Sequence, residues 1–292
     1  MERRFVALPD RALLAVAGED RTPFLQGLVS NDVTRATPTR AIHAALLSAQ
    51  GKYLHDFFVA ERDGALHLEA EAARLADLKR RLSLYKLRSK VTLAETPGLA
   101  VFAAFGDGAA AALGLAPEPG AAMPVAGGIG FVDPRLAALG ARLWLPPGGE
   151  AALRERGFGE AATEEYDRHR LALGVPDGSR DLEIEKAILL ESGFDELHGV
   201  DWQKGCYIGQ ELTARTKYRG LVKKRLLPVR IDGDAPPPGT VLTRGGKEAG
   251  EMRSARGDRG LALVRLDALT SEEPLEAAGA RLYPEKPGWA RL

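Results

Sequence analysis

The chain is predicted to be an α+β protein that ends in a small β-barrel, and three observations carry that prediction. Three strand-like runs with tight turns precede an amphipathic helix, the middle of the chain repeats this grammar more loosely, and short strands between glycines follow a proline run.

From the N-terminus, a strand is expected through Leu13 to Val16. Asp20 is then placed to cap a helix carrying Phe24, Leu25 and Leu28. Strands follow at Ala44 to Ser48, Tyr53 to Ala60 and Ala65 to Glu69. The turn signals Gln50-Gly51-Lys52 and Glu61-Arg62-Asp63-Gly64 separate them into an antiparallel meander. Leu75, Leu78, Leu82 and Tyr85 recur as the apolar stripe of a helix, and a strand is expected at Lys90 to Ala94. In the middle, strands are expected near Leu99 to Phe105 and Ala141 to Leu145, with a helix from Glu150 to Arg156. The Pro- and Gly-rich stretch from Pro117 to Gly130 reads as a surface connection. Thr163 caps a helix running to Leu173, with Glu164 and Glu165 in its first turn and Gly174 and Pro176 ending it. The run D-G-D-A-P-P-P-G (Asp232 to Gly239) forbids a helix and marks a boundary. The predicted division is therefore residues 1–231, in two units of about 1–95 and 96–231, and a barrel at 232–292 built from Val241 to Arg244, Ala249 to Ser254, Gly260 to Arg265 and Ala280 to Tyr283.

Composition is that of an ordinary globular protein, with 45% hydrophobic and 27% charged residues. Lys plus Arg and Asp plus Glu each total 40, which gives no bulk attraction to nucleic acid or membrane. No apolar run approaches the ~18 residues needed to span a bilayer, and M-E-R-R-F-V-A-L-P-D lacks an apolar signal core. A cytoplasmic location with no membrane partner is expected. The one basic stretch, 201–230, holds eight Lys or Arg against two acids. Its segment from Arg215 to Arg225, with Tyr218 interleaved, is the only feature a nucleic-acid-binding reading could use.

The single cysteine, Cys206, lies in K-G-C-Y-I-G-Q-E (Lys204 to Glu211). One thiol forms neither an internal disulfide nor a multi-cysteine cage. A helix from Ile208 to Tyr218 with a Glu211–Arg215 pair would put Cys206 just before a helix start and beside Lys204, both of which favour thiolate. Buried cysteine is the commoner fate, but glycines and long polar side chains surround this one. His43, His55, His67, His169 and His198 lie in no pattern that identifies a base. Asn31 and Asp32 read equally as a turn, a cap or a contact.

The stretch K-G-C-Y-I-G-Q-E-L-T-A-R-T-K-Y-R-G (Lys204 to Gly220) resembles the signature of the YgfZ-type folate-binding-like proteins, relatives of the glycine-cleavage aminomethyltransferase that assist iron-sulfur protein maturation. G-E-D-R-T-P-F-L-Q-G-L-V-S-N-D-V (Gly18 to Val33), L-Y-K-L-R-S-K-V (Leu84 to Val91) and G-V-P-D-G (Gly174 to Gly178) extend the likeness along nearly the whole chain. The resemblance implies a ring-like arrangement of two interleaved α/β units plus the barrel. It implies Cys206 as the functional thiol, framed by Lys204, Gly205, Tyr207, Gly209, Gln210, Glu211 and Arg215. Cys206 would have no metal site of its own; it would either share a transient iron-sulfur cluster with a partner or act as a redox cysteine. The resemblance also implies tetrahydrofolate as ligand, with Glu191 of I-L-L-E-S-G facing the pterin; the aromatic wall and the cation for the glutamate tail that such a ligand needs are available in Tyr166 and in Arg88 or Arg215. Partners would be iron-sulfur scaffold or carrier proteins and client iron-sulfur enzymes. The alternative is a tetrahydrofolate-dependent aminomethyltransferase, for which Asp107 in F-A-A-F-G-D-G is the available aspartate.

Overall fold

The computed structural model describes residues 1–271 and 273–291. The chain forms two compact units and passes between them repeatedly. The first comprises Met1–Leu47, His55–Thr163 and Leu197–Ile208. The second comprises Ser48–Leu54, Glu164–Glu196 and Gly209–Leu292. The segments interleave along the chain and do not divide near residue 95, because the units follow packing and not chain order.

Two sheets make up the first unit. One orders Ile42–Leu47, Tyr53–Arg62, Ala65–Glu71, Arg11–Ala17 and Thr92–Glu95. The other orders Gly159–Glu160, Arg4–Ala7, Ala100–Phe105, Ala141–Leu145, Gly128–Val132 and Ala122–Val125. The stretch expected as a surface connection thus contains a hairpin, because Met123 pairs with Gly130 and Pro124 with Ile129 within it, and the sheet gives them neighbours that local pattern does not reveal. Phe58, Phe131 and Trp144 pack edge to face, at 5.9 and 5.2 Å between ring centres. The fully buried Glu69 accepts from Trp144 Nε1 at 2.7 Å and from Arg11 Nε at 3.1 Å. A buried carboxylate is tolerable only with such partners.

Helix Leu75–Leu84 buries Leu75, Leu78 and Leu82 as the stripe requires. Tyr85 falls outside it and is exposed, because the helix ends at Leu84. Asp20 makes no side-chain bond to its own helix; its Oδ2 accepts from Lys90 N at 2.7 Å instead.

In the second unit, strands Lys224–Asp232, Val241–Arg244, Lys247–Arg256, Arg259–Arg265, Leu275–Ala277 and Ala280–Pro284 close into a six-stranded barrel. Its core is apolar, with Leu227, Val229, Leu242, Met252, Val264 and Leu282 at or near zero exposure. The barrel begins at Lys224, upstream of the boundary expected at Asp232. The proline run lies inside it, between the first and second strands. Pro228 sits within the first strand, which costs one donor and obscures that strand to pattern reading. Helix Thr163–Ala172 is fastened in this unit by Arg170, which bonds Asp167 at 2.6 Å and Asp181 at 2.7 Å, with Asp181 also accepting from Ser254.

Candidate functional site

The loop carrying Cys206 is built from the first unit's N-terminal helix, Arg21–Gln26. A helix end leaves carbonyls without partners, and a basic side chain nearby can satisfy them. Lys204 does so: its Nζ donates to the carbonyls of Gln26 and Val29, each at 2.6 Å, and lies 5.1 Å from the centre of the Tyr207 ring. Gln26 replies with Nε2 to the Lys204 carbonyl at 3.3 Å and to Asp32 at 2.9 Å, while its Oε1 accepts from Val33 N. At the other foot, Ile208 N donates to the Gly27 carbonyl at 3.3 Å. Tyr207 is buried and Cys206 is exposed. The five residues therefore form an arch, bonded at both feet, that presents its thiol to solvent.

This geometry changes the role expected of Lys204. Its ammonium is engaged by carbonyls and the Tyr207 ring, and burial pulls its pKa down to about 8 against the opposing charges of Asp32 and Asp201. Gly209 adopts a left-handed conformation, so the following helix is Gln210–Tyr218 and starts later than expected. Glu211 and Arg215 are exposed on that helix and form no ion pair with each other among the described residues. The turn at Gly51 packs on the helix start: a Cβ there would lie 2.5 Å from Leu212 Cβ and 2.7 Å from the Gly209 carbonyl, which admits only glycine.

Glu191 occupies the short turn Leu189–Ser192 of the second unit. Arg225, from the first barrel strand, holds that turn by donating to the Leu190 carbonyl at 2.9 Å and to Glu196 at 2.6 Å. Glu191 is half-buried and accepts the backbone N–H groups of Lys223 and Lys224. Burial raises its pKa against those bonds and the charges of Lys224 and Lys52. It faces a cavity of about 330 Å³ whose walls include Ile188, Leu226, Lys52, Lys223 and Lys224.

The other residues expected around folate do not join it. Tyr166 is buried in the helix Thr163–Ala172 and does not line this cavity. Arg215 is exposed on the helix Gln210–Tyr218, and Arg88 lies in the first unit in a shallow depression with Tyr85 and Leu87. The lysines at 52, 223 and 224 are the cations the sequence reading missed. No local pattern links positions so far apart. A second cavity of about 360 Å³, in the first unit, is lined by Asn31, Arg40, His43 and His198. Asn31 Nδ2 donates to the carbonyls of His43 and His198 there, and buried His43 lies 3.2 Å from Asp56.

His55 pairs with Asp77 at 2.9 Å, and burial lowers its pKa to about 4. Asp107 is exposed and lines neither cavity. Lys217 and Arg225, of the basic stretch, are engaged by Asp195 and Glu196. Among the described residues no three His, Cys, Asp or Glu side chains gather as metal ligands, and no helix is long and apolar enough to cross a membrane.

Residues 223–292 match the family model described as CAF17, C-terminal beta-barrel domain. The structure superposes on the glycine cleavage system aminomethyltransferase T from Bartonella henselae with a TM-score of 0.80, covering 99% of this chain and 86% of that one, at 14% identity. That likeness concerns fold alone. Fold and barrel together define the class by architecture: an α+β protein with an aminomethyltransferase-like fold and a CAF17-type C-terminal barrel.

Among curated relatives, the mitochondrial iron-sulfur cluster assembly factor IBA57 of Homo sapiens is 36% identical over 97% of this chain and 84% of its own length. The Mus musculus protein is 35% identical over 94% and 82%, and the Pyricularia oryzae homologue 34% over 91% and 72%. The chain belongs to the IBA57 family of iron-sulfur cluster assembly factors. The YgfZ-type resemblance is thereby corrected to a close relative of the family itself. The expectation of a cytoplasmic protein is overturned, since these relatives are named as mitochondrial.

Proposed function

We propose that this protein is an accessory factor in the assembly of iron-sulfur proteins, working through Cys206 on a cluster held jointly with a carrier protein. The observation that carries the reading is the exposed thiol at the apex of an arch bonded at both feet to residues 26–29. A rigid, accessible thiol loses its proton and offers one Sγ to iron, while cysteines of the partner supply the remaining ligands. One donor alone is too few to retain a cluster, which suits a factor that passes it on. Lys204 acts behind the arch by holding its backbone.

Tetrahydrofolate is the second part of the proposal. The cavity at Glu191 supports it: a carboxylate for the pterin donors, apolar walls from Ile188 and Leu226, and lysines 52, 223 and 224 for the glutamate tail. Glu191 keeps acceptor capacity beyond its two backbone bonds. When bound, the cofactor would supply a one-carbon carrier or a two-electron donor. An aminomethyltransferase role gains no support from the exposed Asp107.

Complementation tests the main reading. In cells lacking this protein, Cys206→Ser is expected to fold and to bind folate, yet to leave iron-sulfur enzyme activity unrestored. Full rescue by the serine variant would sink the role of the thiol.

A further inference from the structure

We infer that the tip formed by Leu84, Tyr85 and Leu87 is a docking surface for an acidic protein, and that its occupant is the iron-sulfur carrier required by the proposed function. Only the partner's class rests on that reading; the surface stands on its own geometry.

Residues 79–90 contain six Lys or Arg and no acid. Leu84, Tyr85 and Leu87 are 66%, 43% and 90% exposed in the midst of them. Leaving a leucine in water forgoes the stabilisation its burial would give. Leu87 also holds φ at 40°, a left-handed conformation that is strained for a branched side chain. Two unfavourable choices at one residue turn its side chain outward, and folding alone gives no reason for either.

The tip is also held in one shape. Tyr85 N donates to the Leu82 carbonyl at 3.1 Å, Lys86 N to that of Ser83 at 3.2 Å and Ser89 N to that of Lys86 at 2.7 Å. Its far end is clamped where Lys90 meets Asp20 and Glu19. Gly18, at φ 113°, allows that close approach, since a Cβ there would lie 2.1 Å from the Lys90 carbonyl oxygen. Arg80 and Arg81 are engaged by Asp77. Among the described residues Lys79, Lys86 and Arg88 have no acidic partner. An apolar knob beside uncommitted cations is the complement of an apolar pocket rimmed by carboxylates. Fixed turn geometry favours a protein over a lipid surface, because preorganisation benefits a partner of defined shape and a fluid bilayer demands none.

The test is photocrosslinking in cells from p-benzoylphenylalanine placed at position 87, with the crosslinked peptide identified by mass spectrometry. The captured carrier is then purified and titrated calorimetrically at rising salt. The expected outcome is a contact peptide rich in Asp and Glu on an iron-sulfur carrier. Binding should weaken at least about tenfold in Leu84→Ser/Leu87→Ser and in Lys79→Glu/Lys86→Glu/Arg88→Glu, with wild-type affinity falling as salt rises. Both variants should alkylate at Cys206 as the wild type does, which shows that the fold is intact. The inference is overturned by a neutral contact peptide, by no crosslink, by wild-type affinity in both variants, or by tip-dependent cosedimentation with phosphatidylglycerol vesicles alone. An acidic crosslink to a protein outside iron-sulfur assembly, together with rescue by Cys206→Ser, would overturn the partner's class and the proposed function while leaving the docking surface standing.

Discussion

Lys204 and Glu191 are both half-buried ions fastened to the main chain, one in each unit, and burial pushes both towards their neutral forms. Their surroundings differ in kind. The Lys204 ammonium is enclosed by two carbonyls and an aromatic ring, all supplied by its own unit, so its bonding is internal. The Glu191 carboxylate, by contrast, accepts two backbone N–H groups and still borders a cavity with lysines on its walls. The first arrangement is that of a strut. The second is that of a group offered to a ligand.

The largest effect that separates the two belongs to Lys204→Met. Removing the ammonium leaves the Gln26 and Val29 carbonyls without their donor, at a cost of about 1 to 3 kcal/mol. Thermal melting should register the loss, and proteolysis should cut the loop 204–208 sooner. An unchanged melting temperature would show that the arch does not depend on this residue. Gly51→Ala comes next, because it meets both a strained φ of 80° and a contact at 2.5 Å; a loss of at least about 1 kcal/mol is expected in denaturant titration. Glu191→Gln should cost less in stability, since it retains an acceptor and relieves a desolvated charge. It should instead weaken tetrahydrofolate by about 1 to 3 kcal/mol in calorimetry. Equal affinities would remove Glu191 from the ligand.

The pH dependence runs in opposite directions for the pair. The folded pKa of Lys204 is lowered from 10.5 to about 8, so the unfolded chain binds more proton between those values. The contribution of Lys204 to stability therefore rises as pH climbs from about 8 towards 10.5, and is lost as pH falls through 8. The pKa of Glu191 is raised, so its contribution is greatest below the ordinary value of 4.5 and falls as pH rises through the folded pKa. Chemical denaturation of wild type and Lys204→Met across pH 7 to 11 should show the alkaline rise only in the wild type.

Much of the fold was legible because local pattern carried it. The stripe Leu75, Leu78, Leu82 and the later barrel strands follow from spacing and glycine punctuation. The hidden elements depend on distant neighbours: the hairpin at 122–132 reads as a loop, and Pro228 disguises the strand that opens the barrel. The site divides likewise. The octapeptide around Cys206 was conspicuous by composition, but the inward turn of Lys204 depends on Gln26 and Val29, far away in sequence. Lys52, Lys223 and Lys224 about Glu191 come from two stretches far apart in sequence and could not be selected by inspection.

The chain's repeated passage between units has a consequence for biosynthesis. The first unit is incomplete until residues 197–208 emerge, and the second draws on 48–54 and stays open until the last barrel strand is made. Neither can finish early on the ribosome, and each must close loops longer than a hundred residues, which slows folding and lengthens exposure of unpaired strand edges. The arch holding the thiol is the last segment added to the first unit, so a nascent chain stalled before residue 204 lacks Cys206 and the arch that presents it.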